Sequence, residues 1–368
     1  MMLTPASYCR AAGKRVERKS VTVRAQLVHD SSVSLQIDNA FEIIDPQTNK
    51  TVFRASRFNE KIHITNGALA FGKRLTFPPE LLFQPTRAEF FRLNGVLYRG
   101  SLKLIVDQNK ILAVNYLPME DYIKSVVPSE ISKLWDYEVL KAQAVAARTF
   151  TYQHRNVNSD KHYDIPYGLQ QYKGVIAENA RTSWAVDVTF GQVLFYHDKV
   201  FPAFFHTVCG GYTEQGEAVW PTAKGLPGVT ACSYCSNNSY FIWEHKFTSK
   251  ELADKLNKAG YKVNSVDSIE PHEKAPFYPR IRSLTVHADG KRIVIPANRF
   301  RAICGYNVIR SSIFTVTLNG NTFKFNGRGW GHGVGLCQYG AKTLAELHKD
   351  YLYILEFYYP KTELKRVY

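Results

Sequence analysis

Three stretches of the chain carry residue types and spacings that can do chemistry. The first runs from Met119-Glu120-Asp121-Tyr122 through Val127-Pro128-Ser129-Glu130-Ile131 to Leu140–Thr149. Glu130 follows a proline that breaks one helix and precedes Asp136, which can cap the next, so it falls between two helices. Beside Ile131 and Trp135 its carboxyl is half desolvated, which raises the pKa and suits it to general-acid work. The competing reading is a capping or surface carboxylate, the ordinary fate of a glutamate. Glu120 and Asp121 read as first-turn acids that favour the helix dipole. Arg148 lies in an alanine-rich stretch, where a buried guanidinium needs a carboxylate partner or an anionic substrate.

The second stretch is His206-Thr207-Val208-Cys209-Gly210-Gly211, followed by Cys232-Ser233-Tyr234-Cys235. The pattern H-x2-C … C-x2-C offers up to four ligands for one structural zinc. Cys209, Cys232 and Cys235 are the metal candidates, and the fourth place is open to His206, His245, Cys304 or water. His206, at a strand end, can instead face a substrate. A disulfide between two of the three cysteines, or reduced thiols, are the alternatives. The third stretch has five glycines among the nine residues 327–335 and continues to Cys337-Gln338-Tyr339-Gly340. It lacks the GK[ST] ending and the βαβ setting of a phosphate loop. Ahead of a helix, its backbone N–H groups can still meet an anion or a sugar oxygen. His332, between glycines, is sterically open to substrate; the alternative is a loop histidine with a structural hydrogen bond.

The elements that must hold these stretches read as α+β: mostly antiparallel sheet with a few helices. Alternating apolar residues predict strands at Val21–Leu27, Val33–Ile37, Ala40-Glu42-Ile44 and Leu102–Val106, the last in a hairpin with Ile111–Val114. From Leu117 the spacing turns helical, with a helix over Met119–Val127 and another from Asp136 to about His154. Strands return at Gln192–Tyr196, Val200–Val208, Ile281–His287, Arg292–Ile295 and Phe314–Phe325, interrupted by a helix at Ser249–Ala259. A last helix runs from Cys337 to about His348. The chain thus divides into a basic tail (1–20), a β-rich region (21–116) and a catalytic region (117–368) closing on the glycine-rich loop.

An apolar fraction of 45% over 368 residues excludes a mostly disordered chain. No apolar run is long enough to cross a bilayer as a helix. Six cysteines are too few for a disulfide scaffold. The first twenty residues contain no apolar stretch of seven or more, so no secretory signal is visible. The net charge of +15 points to an acidic partner such as nucleic acid, a membrane surface or an anionic cell-wall glycan. Basic residues are spread along the chain rather than gathered in a nucleic-acid module, so no nucleic acid is expected.

In this order, the three stretches resemble the stage II sporulation protein D family, which includes the amidase enhancer. Tyr98-Arg99-Gly100 and Ile354-Leu355-x-Phe357-Tyr358-Tyr359-Pro360 also fit. The likeness covers most of residues 21–360. It implies a peptidoglycan lytic transglycosylase in the cell envelope or periplasm, acting on glycan strands to leave 1,6-anhydro-MurNAc ends. The alternative is a glycan-binding enhancer of a cell-wall amidase. The family's catalytic glutamate falls on Glu130. Gln143, Arg148, Tyr172, His206, His332 and Gln338 are the candidates for holding substrate and stabilising an oxocarbenium-like transition state. Some members bind metal in the loop after the long helix. Here that loop, 162–174, has His162 but no cysteine, so the cluster at 209, 232 and 235 is the better candidate.

Overall fold

Strict alternation of apolar side chains builds the N-terminal half. The computed structural model describes residues 21–72, 75–86, 90–155, 162–223 and 227–368; the expected basic tail, with Cys9, lies outside them. Two six-stranded antiparallel sheets share one core. The first has the order 22–30, 110–118, 101–107, 80–85, 41–45, 50–55, and the second 96–99, 90–93, 32–37, 58–65, 68–71, 75–77. Val33, Leu35 and Ile37 of one sheet pack with Leu102, Leu104 and Phe83 of the other. The hairpin of 101–107 with 110–118 is present as expected. One strand has the opposite phase: Phe41 and Ile43 are buried, not Ala40 and Ile44. The larger Phe41 ring gains more from burial than Ala40 does.

The strand 110–118 leads directly into helix α1 (Met119–Glu130), followed by α2 (Tyr137–His154) and α3 (Ala180–Val188). Asp136 caps α2 by accepting the Glu138 N–H at 2.8 Å. The alanines at 142, 144, 146 and 147 are all fully buried, which lets neighbouring elements approach α2 closely. Pro128 does not end α1 as expected; it sits inside the last turn. A proline there removes only one terminal hydrogen bond, and the Ile131 N–H still reaches the Val127 carbonyl at 3.1 Å. Glu130 is therefore the final residue of α1, at the start of the link to α2.

Arg148 holds these helices together. It is fully buried, and its Nε and Nη2 donate to the two carboxylate oxygens of Glu120 at 2.8 and 2.7 Å. The Tyr368 hydroxyl donates to the same carboxylate at 2.7 Å, drawing the C-terminus onto α1. Arg148, expected at the substrate, is thus removed from it by a bidentate partner, and Glu120 is more than a dipole-favouring first-turn acid.

Residues 242–328 form a module with its own core. Two three-stranded antiparallel sheets (242–248, 322–328, 314–319 and 268–274, 281–288, 291–296) enclose α4 (Ser249–Lys258) and α5 (Ala297–Cys304). The expected single strand 314–325 is a hairpin, turned at Gly320-Asn321. The expected strand 200–208 survives only as Lys199–Val200 and Phe205–His206, because Pro202 lacks a ladder donor. Phe205–His206 pairs in parallel with Leu336–Cys337. After it come α6 (Gln338–Glu346) and α7 (Tyr351–Tyr358), and the strand 363–366 returns to pair with 192–196.

Replacing Arg148 with Met should cost about 3–5 kcal/mol in urea unfolding, because the Glu120 carboxylate is left buried without its partner. A loss below about 1 kcal/mol would mean that the pair is not what fixes α1.

Candidate active site

Glu130 stands half-buried at the C-terminal end of α1 and lines a cleft of about 360 Å³. Burial pushes its pKa up, opposed in part by the Gln171 N–H and by Lys173. Its Oε1 accepts that N–H at 2.8 Å. The last turn of α1 has no basic residue, and the negative end of the helix dipole further disfavours a charged carboxylate there. Glu130 is the only carboxyl among the described residues lining the cleft.

Facing it are Phe205, His206, Trp220, Trp330, His332 and Gln338. The His206 Nδ1–H donates to the Val334 carbonyl at 3.1 Å. This leaves Nε2 as a bare acceptor, buried and without a partner among the described residues. Burial, with Arg280 nearby, holds the His206 pKa down to about 3, so the ring is neutral at working pH. His332 differs: its Nε2–H donates to the Phe205 carbonyl and its Nδ1 accepts the Val334 N–H, both at 3.0 Å. Both nitrogens are engaged, so His332 is a neutral wall of the cleft rather than an open contact.

The glycine-rich stretch is a packed crossing, not an anion cradle. The N–H groups of Arg328, Gly329, Trp330, Gly331 and Leu336 donate to the carbonyls of Ile313, Phe241, Val208, Arg310 and Phe204. At Gly331, with φ of +121°, a Cβ would lie 2.7 Å from the Cβ of His206. Glycine there lets the loop press against the strand that carries His206.

Of the remaining expected residues, Gln338 lines the cleft and the others lie outside it. Gln338 reaches Gln143 Oε1 at 3.5 Å. Gln143 is fully buried, and its Nε2 has no partner among the described residues. Tyr172 lines a separate depression of about 310 Å³. Its hydroxyl donates to Asn115 Oδ1 at 2.7 Å and its ring packs on Tyr122, which steadies the loop that presents the Gln171 N–H. Arg148, in its ion pair, is not at the cleft.

Cys209, Cys232 and Cys235 meet, and the fourth member is Cys337, with all four sulfurs within 4.8 Å of one another. The four can hold one metal ion. His206 faces the cleft instead, and Cys304 is buried in the module's own core. Cys337 is paired with His206 in the parallel bridge, so the sulfur cluster adjoins the cleft. Sequence reasoning missed Cys337 because it lies within the glycine-rich motif, far along the chain from Cys235. It also missed the wall built by Asn298, Arg301 and Tyr306 of the module. Arg301 had a signal: it shares one helical stripe with Ala297, Phe300 and Cys304, and an arginine on an apolar stripe marks a buried charge.

The structure can now be set beside known proteins. Residues 107–196, which include α1, α2 and Glu130, match the family described as Stage II sporulation protein. Residues 232–335, which include the module, match a domain of unknown function. An uncharacterised protein of Brachyspira hyodysenteriae is 33% identical over 86% of this chain and 83% of its own length. The Bacillus subtilis Stage II sporulation protein D is 28% identical, covering 68% of this chain and 76% of that protein. The Bacillus subtilis Amidase enhancer is 27% identical over 96% of this chain, which spans only 56% of that longer protein. With the Glu130 helix inside the matched segment and relatives of both names along most of its length, the chain belongs to the stage II sporulation protein D and amidase enhancer family.

Proposed function

We propose that the chain is a peptidoglycan lytic transglycosylase of the cell envelope, cutting MurNAc–GlcNAc linkages to leave 1,6-anhydro-MurNAc ends. The observation that carries this reading is the single desolvated carboxyl in the cleft. Hydrolytic glycosidases generally need two carboxylates, because water or a side chain must attack the sugar. An internal displacement needs one. Glu130 gives its proton to the glycosidic oxygen as the C1–O bond breaks. The resulting carboxylate takes the proton of the C6 hydroxyl as O6 closes on C1, so the acid is regenerated without water. His206 adds a neutral ring to the cleft wall, its Nε2 buried and without a partner among the described residues. A second depression of about 370 Å³ shares Phe205, Trp220 and His332 with the cleft, giving a groove for more than one sugar ring.

The sulfur cluster fits zinc. A tetrahedral site with Zn–S near 2.3 Å places its sulfurs about 3.8 Å apart, and here they lie within 4.8 Å, with Cys209 and Cys235 at 3.3 Å. The Cys209 and Gly340 N–H groups point at the Cys337 sulfur, at 3.2 and 3.4 Å, as donors to a thiolate do. Cys209, Cys232, Cys235 and Cys337 would hold a structural ion that ties the His206 strand to the glycine-rich crossing.

A second reading, a non-catalytic partner that stimulates a cell-wall amidase, is favoured by the match to the Amidase enhancer along nearly all of this chain. Glu130→Gln separates the two. Digestion of purified sacculi should release anhydro-muropeptides by mass spectrometry, and Glu130→Gln should cut turnover by about 10²–10⁴-fold. Ordinary reducing ends, or undiminished digestion by the variant, overturn the transglycosylase. kcat/KM should fall on the alkaline side, above the ordinary glutamate range, as Glu130 loses its proton. Because burial raises this carboxyl's pKa in the fold, its charged form destabilises the native state. Glu130→Gln should therefore raise Tm at neutral pH, with the gain vanishing below about pH 4, where the unfolded carboxyl is also protonated. Metal analysis should find about one zinc per chain, and Cys337→Ser should lose it together with Tm.

A further inference from the structure

The module contributes to the cleft a charge that meets the Tyr306 ring but no carboxylate among the described residues. Arg301 lines the cleft from α5 and is 3% exposed. Its guanidinium donates to the carbonyls of Ile309 and Arg310, at 3.1 and 2.8 Å, and to Asn298 Oδ1 at 2.9 Å. All three acceptors are neutral. Three of its five N–H groups are so engaged, leaving one on each terminal nitrogen. The other two fully buried arginines are treated differently. Arg148 pairs with the Glu120 carboxylate; Arg280 also donates only to neutral acceptors, but Glu214 acts on its charge electrostatically. The groups that act electrostatically on Arg301 are Arg280, which opposes its charge, and Tyr306. His206 and His332 on the same wall are neutral. Burial lowers the Arg301 pKa only to about 10, so it remains a cation. An uncompensated buried guanidinium is costly, and here it borders the space that substrate enters.

We infer that Arg301, with Asn298 holding its fork, is the anion subsite of the cleft and takes a carboxylate carried by the glycan. This rests on the glycan-cleaving reading of Glu130 and deepens it. The module matched as a domain of unknown function would then serve as the substrate-selecting wall opposite the acid. Two groups on the glycan supply this chemistry: the lactyl carboxylate of MurNAc once its stem peptide is gone, and the carboxylates of the stem peptide itself. A chain of GlcNAc alone has neither.

The test measures binding to the Glu130→Gln protein, so that no cleavage intervenes. The probes are denuded glycan strands, strands bearing stem peptides, and chitohexaose. Denuded or peptide-bearing strands should bind at least tenfold tighter than chitohexaose, and only their affinity should fall with added salt. In Glu130→Gln/Arg301→Gln that preference should disappear while chitohexaose binding is unchanged; Arg301→Lys should keep part of it, since charge without the fork remains. A preference for denuded strands identifies the lactyl group as the source, and a preference for peptide-bearing strands identifies the stem peptide. Equal, salt-independent binding of all three probes overturns the proposal without any need for the Arg301 variants to fold. If wild-type protein releases no anhydro-muropeptides yet the Arg301-dependent preference stands, the catalytic reading has failed and the subsite has not.

Discussion

The buried pair of Glu120 and Arg148 is the contact on which the site depends. It joins the first turn of α1 to the middle of α2, and Tyr368 adds the C-terminus to the same carboxylate. Ten residues separate Glu120 from Glu130, a rise of about 15 Å along the helix. Fixing one end of a helix this short, with Tyr122, Ile123, Val126 and Val127 buried beneath it, leaves the other end little freedom. The Gln171 N–H then sets the carboxyl's orientation. Two acids on one helix are thus opposite in character. One is buried with a full complement of donors and serves the fold; the other is desolvated with a single N–H donor and faces the cleft.

Much of this was legible in the residues. The period-two strands, the Asp136 cap and the three chemistry-bearing stretches follow from local pattern. What was not legible depended on contacts far apart in sequence. Arg148 was rightly expected to be paired, but nothing local distinguished Glu120 from a substrate as its partner. Cys337 joins the sulfur cluster only through the parallel pairing of 205–206 with 336–337, which no spacing rule anticipates. His332 was expected to be open because glycines surround it. Those glycines instead permit close packing, and both of its nitrogens are consumed. Pro128 was misread because a proline in a last turn and a proline that ends a helix look alike in sequence.

The two walls of the cleft come from different parts of the chain and differ in sign. The α1 side carries an acid whose pKa burial raises. The module side carries the Arg301 cation, and the two histidines of the cleft, from the 205–206 strand and the glycine-rich stretch, are held neutral. This division matters for chemistry, because a cation in direct contact with Glu130 would lower its pKa and weaken it as an acid. Arg301 is not among the groups that act on Glu130; the cation that does is Lys173. A positive charge can therefore sit in the same cleft without discharging the acid.

The distribution of unsatisfied groups supports the same assignment independently of any relative. Buried polar atoms in folded proteins are nearly always hydrogen-bonded. Four side-chain atoms among the described residues break that rule: Gln143 Nε2, Gln192 Oε1, His206 Nε2 and Arg282 Nε. His206 lines the cleft, and Gln143 contacts Gln338, which also lines it. Arg301 adds a buried charge without a carboxylate at the same place. The Glu120–Arg148 pair, by contrast, is met by five contacts of 3.3 Å or less. The bare His206 acceptor and the Arg301 charge thus stand in one cleft with Glu130, whereas Gln192 Oε1 and Arg282 Nε lie outside it.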